Sequence, residues 1–434
     1  MESSPLISPR RLLAAALAMG VCSGPLQALD LRASLGTTVE HTDNGLKSRS
    51  GDKRSELEQR AWLAVGAHHE GAAVKTDLGY GLSRTWYKHH TQRRDTTAEG
   101  DGSLHWKVLD ERLFVDVSHS RRKVLRDSSE VELRRNQEER DITTVAPAWV
   151  WRLGPVDDLT FRASWTDVNY DKRDDRDSQR YGGNVTWTHQ LSEVDRVLAT
   201  ASTTKVDYRN SLAPNYRHDS LSVGYSSQLA RLNYTVQLGA NRASREGGRK
   251  NVNGMLVDID ARYVSGFNSL SLTARRSISD SSLANGNQVL EGFYSHDSSR
   301  NQVDVIEATR VMLSWSSTAL CDRCTLRLAG FAERESYEEQ PDDNTQYGAE
   351  GQFHYELTRT SRVGLLYRHR KLRYRGDNPR ANYSTDQVQL SLDQQLGQNL
   401  RGGIFLGWEE RDSRRSGHGY SVFSGGVTLS WQFL

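Results

Sequence analysis

The sequence predicts an all-β fold: a transmembrane antiparallel β-barrel of about 18–20 strands, with short periplasmic turns and longer extracellular loops. Three observations carry that prediction. From Asp30 onward, apolar and polar residues alternate over stretches of about 10 to 14 residues, the signature of a sheet with two different faces. Tight turns and long charged loops join those stretches in strict alternation. The polar face holds too many Lys, Arg, Asp and Glu to be core, and no helical pattern exists to cover the apolar one.

Of 434 residues, 57 are basic and 55 acidic, 36% are hydrophobic and 26% charged. The mean hydropathy is −0.70. Such values suit a disordered chain, but 10 Trp, 17 Tyr and only 8 Pro accompany the regular alternation. The near-neutral balance leaves no basic stripe for nucleic acid. A closed barrel, with lipid outside and water inside, satisfies both faces and leaves no unpaired edge in hydrocarbon.

Near the N-terminus, from Ser8, the chain reads "SPRRLLAAALAMGVCSGPLQALD": a basic pair, Arg10 and Arg11, an apolar run from Leu12 to Cys22, then small residues with a cleavage position after Ala28. Residues 1–28 are expected to be a signal peptide and residues 29–434 the barrel. The run is too short to span a bilayer. Val21 also departs from the small residue that a lipidation site wants before Cys22.

The strands then follow one rule. "RAWLAVGAH" sets Ala61, Leu63, Val65 and Ala67 against Arg60, Trp62 and His68. "AVKTDLGYGL" sets Val74, Leu78, Tyr80 and Leu82 against Lys75, Asp77 and Gly79. The pattern continues through Phe161 and Trp165, through Val185 and Trp187, and through Val236 and Leu238. It reaches Phe353, Tyr355, Val363, Leu365 and Tyr367, which stand opposite Gln352, His354, Arg368 and Arg370. Nine short connections and about ten long ones place both termini on the short-turn side. Trp86, Trp187, Tyr234, Trp315, Trp408 and Trp431, near the ends of apolar runs, are expected in interfacial girdles.

Two local features stand apart. In "ALCDRCTL", Cys321 and Cys324 are expected to form a local disulfide once exported. The βαβ setting of a redox pair is missing, and no further ligands for zinc lie nearby. The chain ends on "GGVTLSWQFL", where Val427, Leu429, Trp431 and Phe433 share one face. That ending resembles the C-terminal signal read by the barrel assembly machinery, with Leu434 as one residue of overhang.

The C-terminal stretch from Thr360 also carries a family resemblance. Tyr367-Arg368-His369-Arg370, Glu410-Arg411-Asp412-Ser413 and the closing strand from Val427 to Phe433 resemble the ends of outer-membrane barrels encoded with exopolysaccharide export systems. These are the EpsL-like and PEP-CTERM-associated barrels. The resemblance implies a porin-like barrel with polysaccharide export proteins as partners.

The functional candidates are the inward ionisable residues: Arg60, Lys75, Asp77, Lys107, Arg162, Asp260, Arg262, Arg327, Glu350, Arg368, Arg370 and Arg401. In a wide barrel such residues line water and set selectivity. The plainer reading is that they pair across neighbouring strands and keep the lumen wet. Basic residues outnumber acidic ones in this set, which suits anionic solutes or an acidic polysaccharide. The run "EVELRRNQEERD" reads first as a solvated loop, and second as a short helix or a segment folded into the pore. No P-loop, dinucleotide or haem motif is present, so no cofactor or metal is expected. No acid, base and nucleophile gather at one rim, so no enzyme is expected. The expectation is a monomeric barrel in a Gram-negative outer membrane, among its lipids and lipopolysaccharide, forming a hydrated channel. The competing expectation is a non-conducting barrel that docks a periplasmic export partner.

Overall fold

Alternating residues with β-branched and aromatic side chains make strands, and here they make one continuous antiparallel ladder. A computed structural model describes residues 29–210, 214–283, 295–296, 303–375 and 382–433. The expected signal peptide (1–28) and Leu434 lie outside the described residues. The wall opens with β1 (Leu29–Thr42), β2 (Glu56–Glu70), β3 (Val74–Tyr87), β4 (Asp95–Leu109), β5 (Leu113–Leu125), β6 (Gln137–Arg152) and β7 (Asp157–Tyr170). It continues with β8 (Ser178–Gln190), β9 (Asp195–Tyr208), β10 (Tyr216–Gln228), β11 (Leu232–Arg245), β12 (Val252–Ser265) and β13 (Asn268–Asp280). A two-residue strand, β14 (Ser295–His296), lies off the wall. The remaining strands are β15 (Val305–Ser317), β16 (Cys324–Tyr337), β17 (Asn344–Glu356), β18 (Ser361–Tyr374), β19 (Tyr383–Gln395), β20 (Leu400–Ser413) and β21 (Tyr420–Gln432).

Each wall strand pairs with the next, and β21 pairs back onto β1 from Ser34↔Gln432 to Thr42↔Ser424. The result is a closed barrel of 20 strands, roughly 40 Å across for ordinary strand spacing and tilt. Among the described residues no helix is long and apolar enough to cross a membrane. Nine connections of two to six residues lie on the side of the termini, and ten of six to 24 residues lie on the other. The tightest, Gly266-Phe267, holds Gly266 at φ +53°, a conformation that glycine adopts without steric cost. At the closing seam, a Cβ on Gly36 would lie 2.4 Å from the Trp62 ring, so only glycine lets that indole lie flat on the inner wall.

The register fixes the two faces. Leu35, Leu63, Leu82, Val185, Leu221, Leu238, Leu313, Ile404 and Val427 all point outward and are exposed. The six expected girdle aromatics take the same outward parity, with Trp187, Tyr234, Trp315 and Trp431 near the short turns and Trp86 and Trp408 near the loops. An apolar outer belt on a sheet without edges is the architecture that hydrocarbon requires.

Two features exceed the sequence pattern. The strands run to 13–16 residues, longer than their apolar alternation. Segments such as Asp95–Asp101 and Glu410–Ser413, expected as loop, continue the ladder as polar strand. Backbone pairing needs no apolar side chain, so it persists beyond the membrane. The buried apolar residues also form no central core. They cluster inside the loop end of the barrel: Val168 with Tyr170 and Val124, Val206 with Tyr216 and Ile278, and Leu372 with Tyr374 and Tyr383.

Candidate pore and its loop plug

All twelve ionisable candidates carry the inward parity. They divide by depth and partner. Lys75 is 2.5 Å from Glu70, and Arg162 is 2.7 Å from Asp116, which also bonds His105 at 2.7 Å. Asp77 lies 3.8 Å from His68, and Arg368 donates to Glu350 at 2.6 Å. Arg60, Lys107, Arg262, Arg327 and Arg401 have no carboxylate within ion-pairing distance among the described residues. In the half nearest the short turns, the unpaired inward cations are Lys107, Arg196, Arg262, Arg327 and Arg401. The unpaired acids at the same depth are Asp158, Asp260 and Asp393. That imbalance leaves a mildly cationic, water-accessible vestibule. Glu350 and Arg370 face the same interior but are buried beneath the loops.

The loop end is different, because the wall opens there in two places. The β4–β5 ladder stops at Gly100↔Arg121 while β5–β6 continues to Leu125↔Gln137. Likewise β12–β13 stops at Val257↔Arg276 while β13–β15 continues to Asp280↔Val305. Each freed hairpin leans inward: the loop 126–136 crosses the lumen, and beyond β13 the pair Ser295–His296 meets β5.

The first such loop, residues 126–136, contains most of the charged run with two readings, and the second reading holds: it folds into the pore. Asn136 braces it internally, accepting from Asp127 N at 3.0 Å and donating to Asp127 O at 2.8 Å. At its root Arg134 meets Asp95 at 2.5 Å. At its far side Glu132 accepts from Arg370 at 3.0 Å, and Ser128 shares a 2.7 Å hydrogen bond with Tyr374. Arg411 donates to the carbonyls of Ser129 (2.5 Å) and Glu130 (2.8 Å). The Glu130 carboxylate is held by Arg415 at 2.5 Å and His418 at 3.1 Å. Val131 and Leu133 pack on Tyr420 and Val422. Seven wall strands separate β5 from β18 by the shorter way round, so these bonds bridge the barrel interior.

The second loop, 281–304, starts from a buried carboxylate. Asp280 accepts from Arg180 at 2.8 Å and from the Tyr216 hydroxyl at 2.6 Å. The Ser282 carbonyl accepts from Arg140 at 3.3 Å and from the Tyr170 hydroxyl. Further on, β14 pairs in parallel with Val124–Leu125 of β5, again seven wall strands from β13. A third loop, 43–55, joins them: Lys47 bonds Glu409 at 2.7 Å, and Asn44 donates to Ser421 O at 3.1 Å. Burial opposes the Lys47 charge, yet the Glu409 carboxylate beside it holds the ammonium's pKa well above its ordinary value. Removing one partner of a buried ion pair costs about 3–5 kcal/mol. We therefore expect Asp280→Ala, which strands Arg180, to lower barrel stability on that scale, read as a shift in the denaturant midpoint in lipid. An unchanged midpoint would remove Asp280 from the role of anchor.

One set of residues has no counterpart among the sequence candidates. Tyr87, Tyr170, Tyr208, Tyr216, Tyr337, Tyr374, Tyr383 and Tyr420 all face inward at the last or first residue of a wall strand, making a tyrosine rim where the loops dock. A local signal marks four of them: an Asp or Asn six to eight residues later accepts from the tyrosine's backbone N–H. The pairs are Tyr170/Asp177 (2.8 Å), Tyr208/Asn215 (2.9 Å), Tyr337/Asp343 (2.7 Å) and Tyr374/Asn382 (2.7 Å). The Asx side chain supplies the rung that the backbone no longer makes.

At the opposite end, Cys321 in the short turn before β16 is joined as a disulfide to Cys324, the first residue of that strand, with Cα atoms 5.3 Å apart. Among the described residues no cluster of three or more metal-binding side chains gathers.

No protein-family model and no curated protein matches the chain in sequence. Solved outer-membrane barrels resemble it in shape. The siderophore receptor PirA from Acinetobacter baumannii superposes with a TM-score of 0.48 at 9% identity, covering 94% of this chain and 81% of that one. OccK2 (OpdF) from Pseudomonas aeruginosa gives 0.40 at 12%, covering 94% and 100%. A loop L8 deletion mutant of OmpT, an outer membrane protein of Vibrio cholerae, gives 0.38 at 8%, covering 94% and 99%. The strand pairings themselves carry the architecture.

Proposed function

We propose that this porin-like barrel of the Gram-negative outer membrane is a hydrated channel for anionic solutes, narrowed at its mouth by the loop 126–136 and by the described residues 281–283 and 295–296 before β15. The observation that carries the proposal is the vestibule with unpaired Lys107, Arg262, Arg327 and Arg401 on its wall. Fixed unpaired cations in a water-filled passage raise the local concentration of anions and set the sign of selectivity. Pairing, the plainer role, accounts for Arg162 and Arg368 but leaves these four unexplained.

The test is conductance of the purified protein in a planar bilayer under a salt gradient. We expect anion preference in the native protein and reversal of the zero-current potential in Arg262→Glu/Arg327→Glu/Arg401→Glu. Conductance with unaltered selectivity in that variant would sink the assignment. A silent barrel would instead favour the reading of a structural component that docks a periplasmic export partner.

A second reading, passage of exopolysaccharide, draws support from the tyrosine rim. Aromatic faces pack against sugar rings, and phenolic hydroxyls exchange hydrogen bonds with them. On this reading the polymer passes only when the inward loops have left the lumen, and polysaccharide export proteins feed the vestibule from the periplasm.

A further inference from the structure

We propose that Arg334, Lys371 and Arg373 form a binding site on the outer wall for the phosphate of a phosphorylated lipid in the outer leaflet. The register sets the three together. Arg334 pairs across β16–β17 with Thr345, which pairs across β17–β18 with Arg373; one step below, Ala332, Tyr347 and Lys371 are aligned in the same way. All share the outward parity, so three cations, one on β16 and two on β18 with β17 between them, lie within about 12 Å of one another at ordinary strand spacing. Arg334 and Arg373 are exposed and Lys371 half-buried. The Arg373 guanidinium sits 6.0 Å from the centre of the Tyr347 ring, which braces it from one side.

Three outward cations grouped without a counter-charge set this patch apart, since the one comparable residue among the described residues, Arg84, stands singly. Other outward cations near the loop end have acids: Arg121 pairs with Glu139 and Asp141, Lys205 with Asp207, Arg217 with Asp219 and Arg276 with Glu307. Arg242 stands opposite Asp219 in the ladder, and Arg84 lies over Trp86. None of Arg334, Lys371 or Arg373 has a carboxylate within ion-pairing distance among the described residues. The outward acids on the next strand pair are Asp386, Glu410 and Asp412. Asp386 already accepts from the Tyr367 hydroxyl and from His369, each at 2.8 Å. Three like charges crowded into one patch repel. A phosphate between them relieves that repulsion and takes charge-assisted hydrogen bonds from both guanidinium groups.

The position selects a lipid over a free ion. Below the cations, on the same face, Gly330 and Ala349 stand level with His369, then Leu328 and Gly351 with Tyr367, and below those Phe353 with Leu365. A Cβ on Gly330 would meet nothing nearer than 3.5 Å and on Gly351 nothing nearer than 3.4 Å. The patch is thus a shallow depression with room for an acyl chain. It descends from the cations into the apolar belt, as a lipid descends from its headgroup.

The experiment uses the full mature barrel in detergent and native mass spectrometry with three probes: bis-phosphorylated lipid A, its dephosphorylated form, and inorganic phosphate. We expect one retained phosphorylated lipid, and roughly tenfold or greater loss of it in Arg334→Gln/Lys371→Gln/Arg373→Gln, consistent with loss of charge-assisted bonds. Arg84→Gln/Arg242→Gln, which removes outward charge elsewhere, should retain it. Gly330→Val/Gly351→Val, which fills the depression, should weaken the lipid while leaving the cations in place. Heat-modifiable migration of each variant confirms that it is folded. Equal retention by the triple variant, equal binding of dephosphorylated lipid, or occupancy by inorganic phosphate that displaces the lipid would each overturn the site.

Discussion

Excision of Ser128–Glu132 should raise the single-channel conductance severalfold. The residues removed make the bonds that tie the 126–136 loop to β18 and β20, and they carry Val131 onto Tyr420 and Val422. Without them Arg370, Arg411 and Arg415 face water rather than a loop, and folding of the shortened protein is checked by heat-modifiable migration. A wall of 20 strands encloses a lumen wide enough for an open aqueous channel, and the inward loops account for its narrowing. With 281–304 still in place, the gain should be roughly two- to fivefold rather than complete. The measurement is single-channel recording of native and shortened proteins at matched salt. Equal conductance in two equally folded proteins would show that this loop is not the constriction. The same pair distinguishes the readings of function: passage of a neutral polysaccharide through the shortened protein alone would favour export gated by the loops.

Truncation at the C-terminus should separate a structural from an addressing role of the closing strand. Strand β21 hydrogen-bonds on both sides, to β20 and to β1, and Phe433 N adds one more bond to Ala33 O at 3.0 Å. Val427, Leu429, Trp431 and Phe433 all lie on the outward face and are exposed. Removing residues 427–434 opens two edges in hydrocarbon, where each unsatisfied backbone group costs several kcal/mol. No barrel is expected in cells or on refolding into lipid. Removing only Phe433 and Leu434 deletes about one rung, so refolding in vitro should proceed. Assembly in cells should fall by about an order of magnitude if Phe433 is read as a terminal aromatic by the assembly machinery, since losing a buried aromatic anchor typically costs 2 kcal/mol or more. Quantifying heat-modifiable barrel in both settings checks this. Normal assembly of the two-residue truncation in cells would withdraw the addressing role.

The parts of the fold that were legible in the sequence are those governed by period two. Leu63 and Val65 against Arg60 and His68, or Val363 and Leu365 against Arg368, need only local alternation, and the ladder kept each on its expected side. Short and long connections were readable because turns and loops differ in length and composition. The polar strand extensions were not, since Asp95–Asp101 lacks any apolar mark and is held only by its neighbours. The plug was harder still. Glu130 and Glu132 look like solvated charges until Arg370, Arg411, Arg415 and His418, more than 230 residues later in the chain, are brought opposite them. Asp280 likewise reveals nothing of Arg180 and Tyr216 locally. The tyrosine rim did leave a trace, in the tyrosine followed by Asp or Asn across four of the loops. It went unread because lipid-facing girdles account for most aromatics in a barrel.

The two early-ending ladders give the wall two mechanical regimes. Up to the level of Gly100↔Arg121 and Val257↔Arg276 every strand is bonded on both sides, as in an unbroken hoop. Beyond it the hoop becomes a slit collar, and outward Arg121 and Arg276 mark the change as lying at the upper border of the apolar belt. Hydrocarbon forbids a slit, whereas water tolerates one because it can hydrate the parted backbone groups. The leaning hairpins can therefore move without breaking a rung inside the membrane. Opening the mouth and holding the barrel together are separate tasks, carried by different bonds and free to be tuned independently.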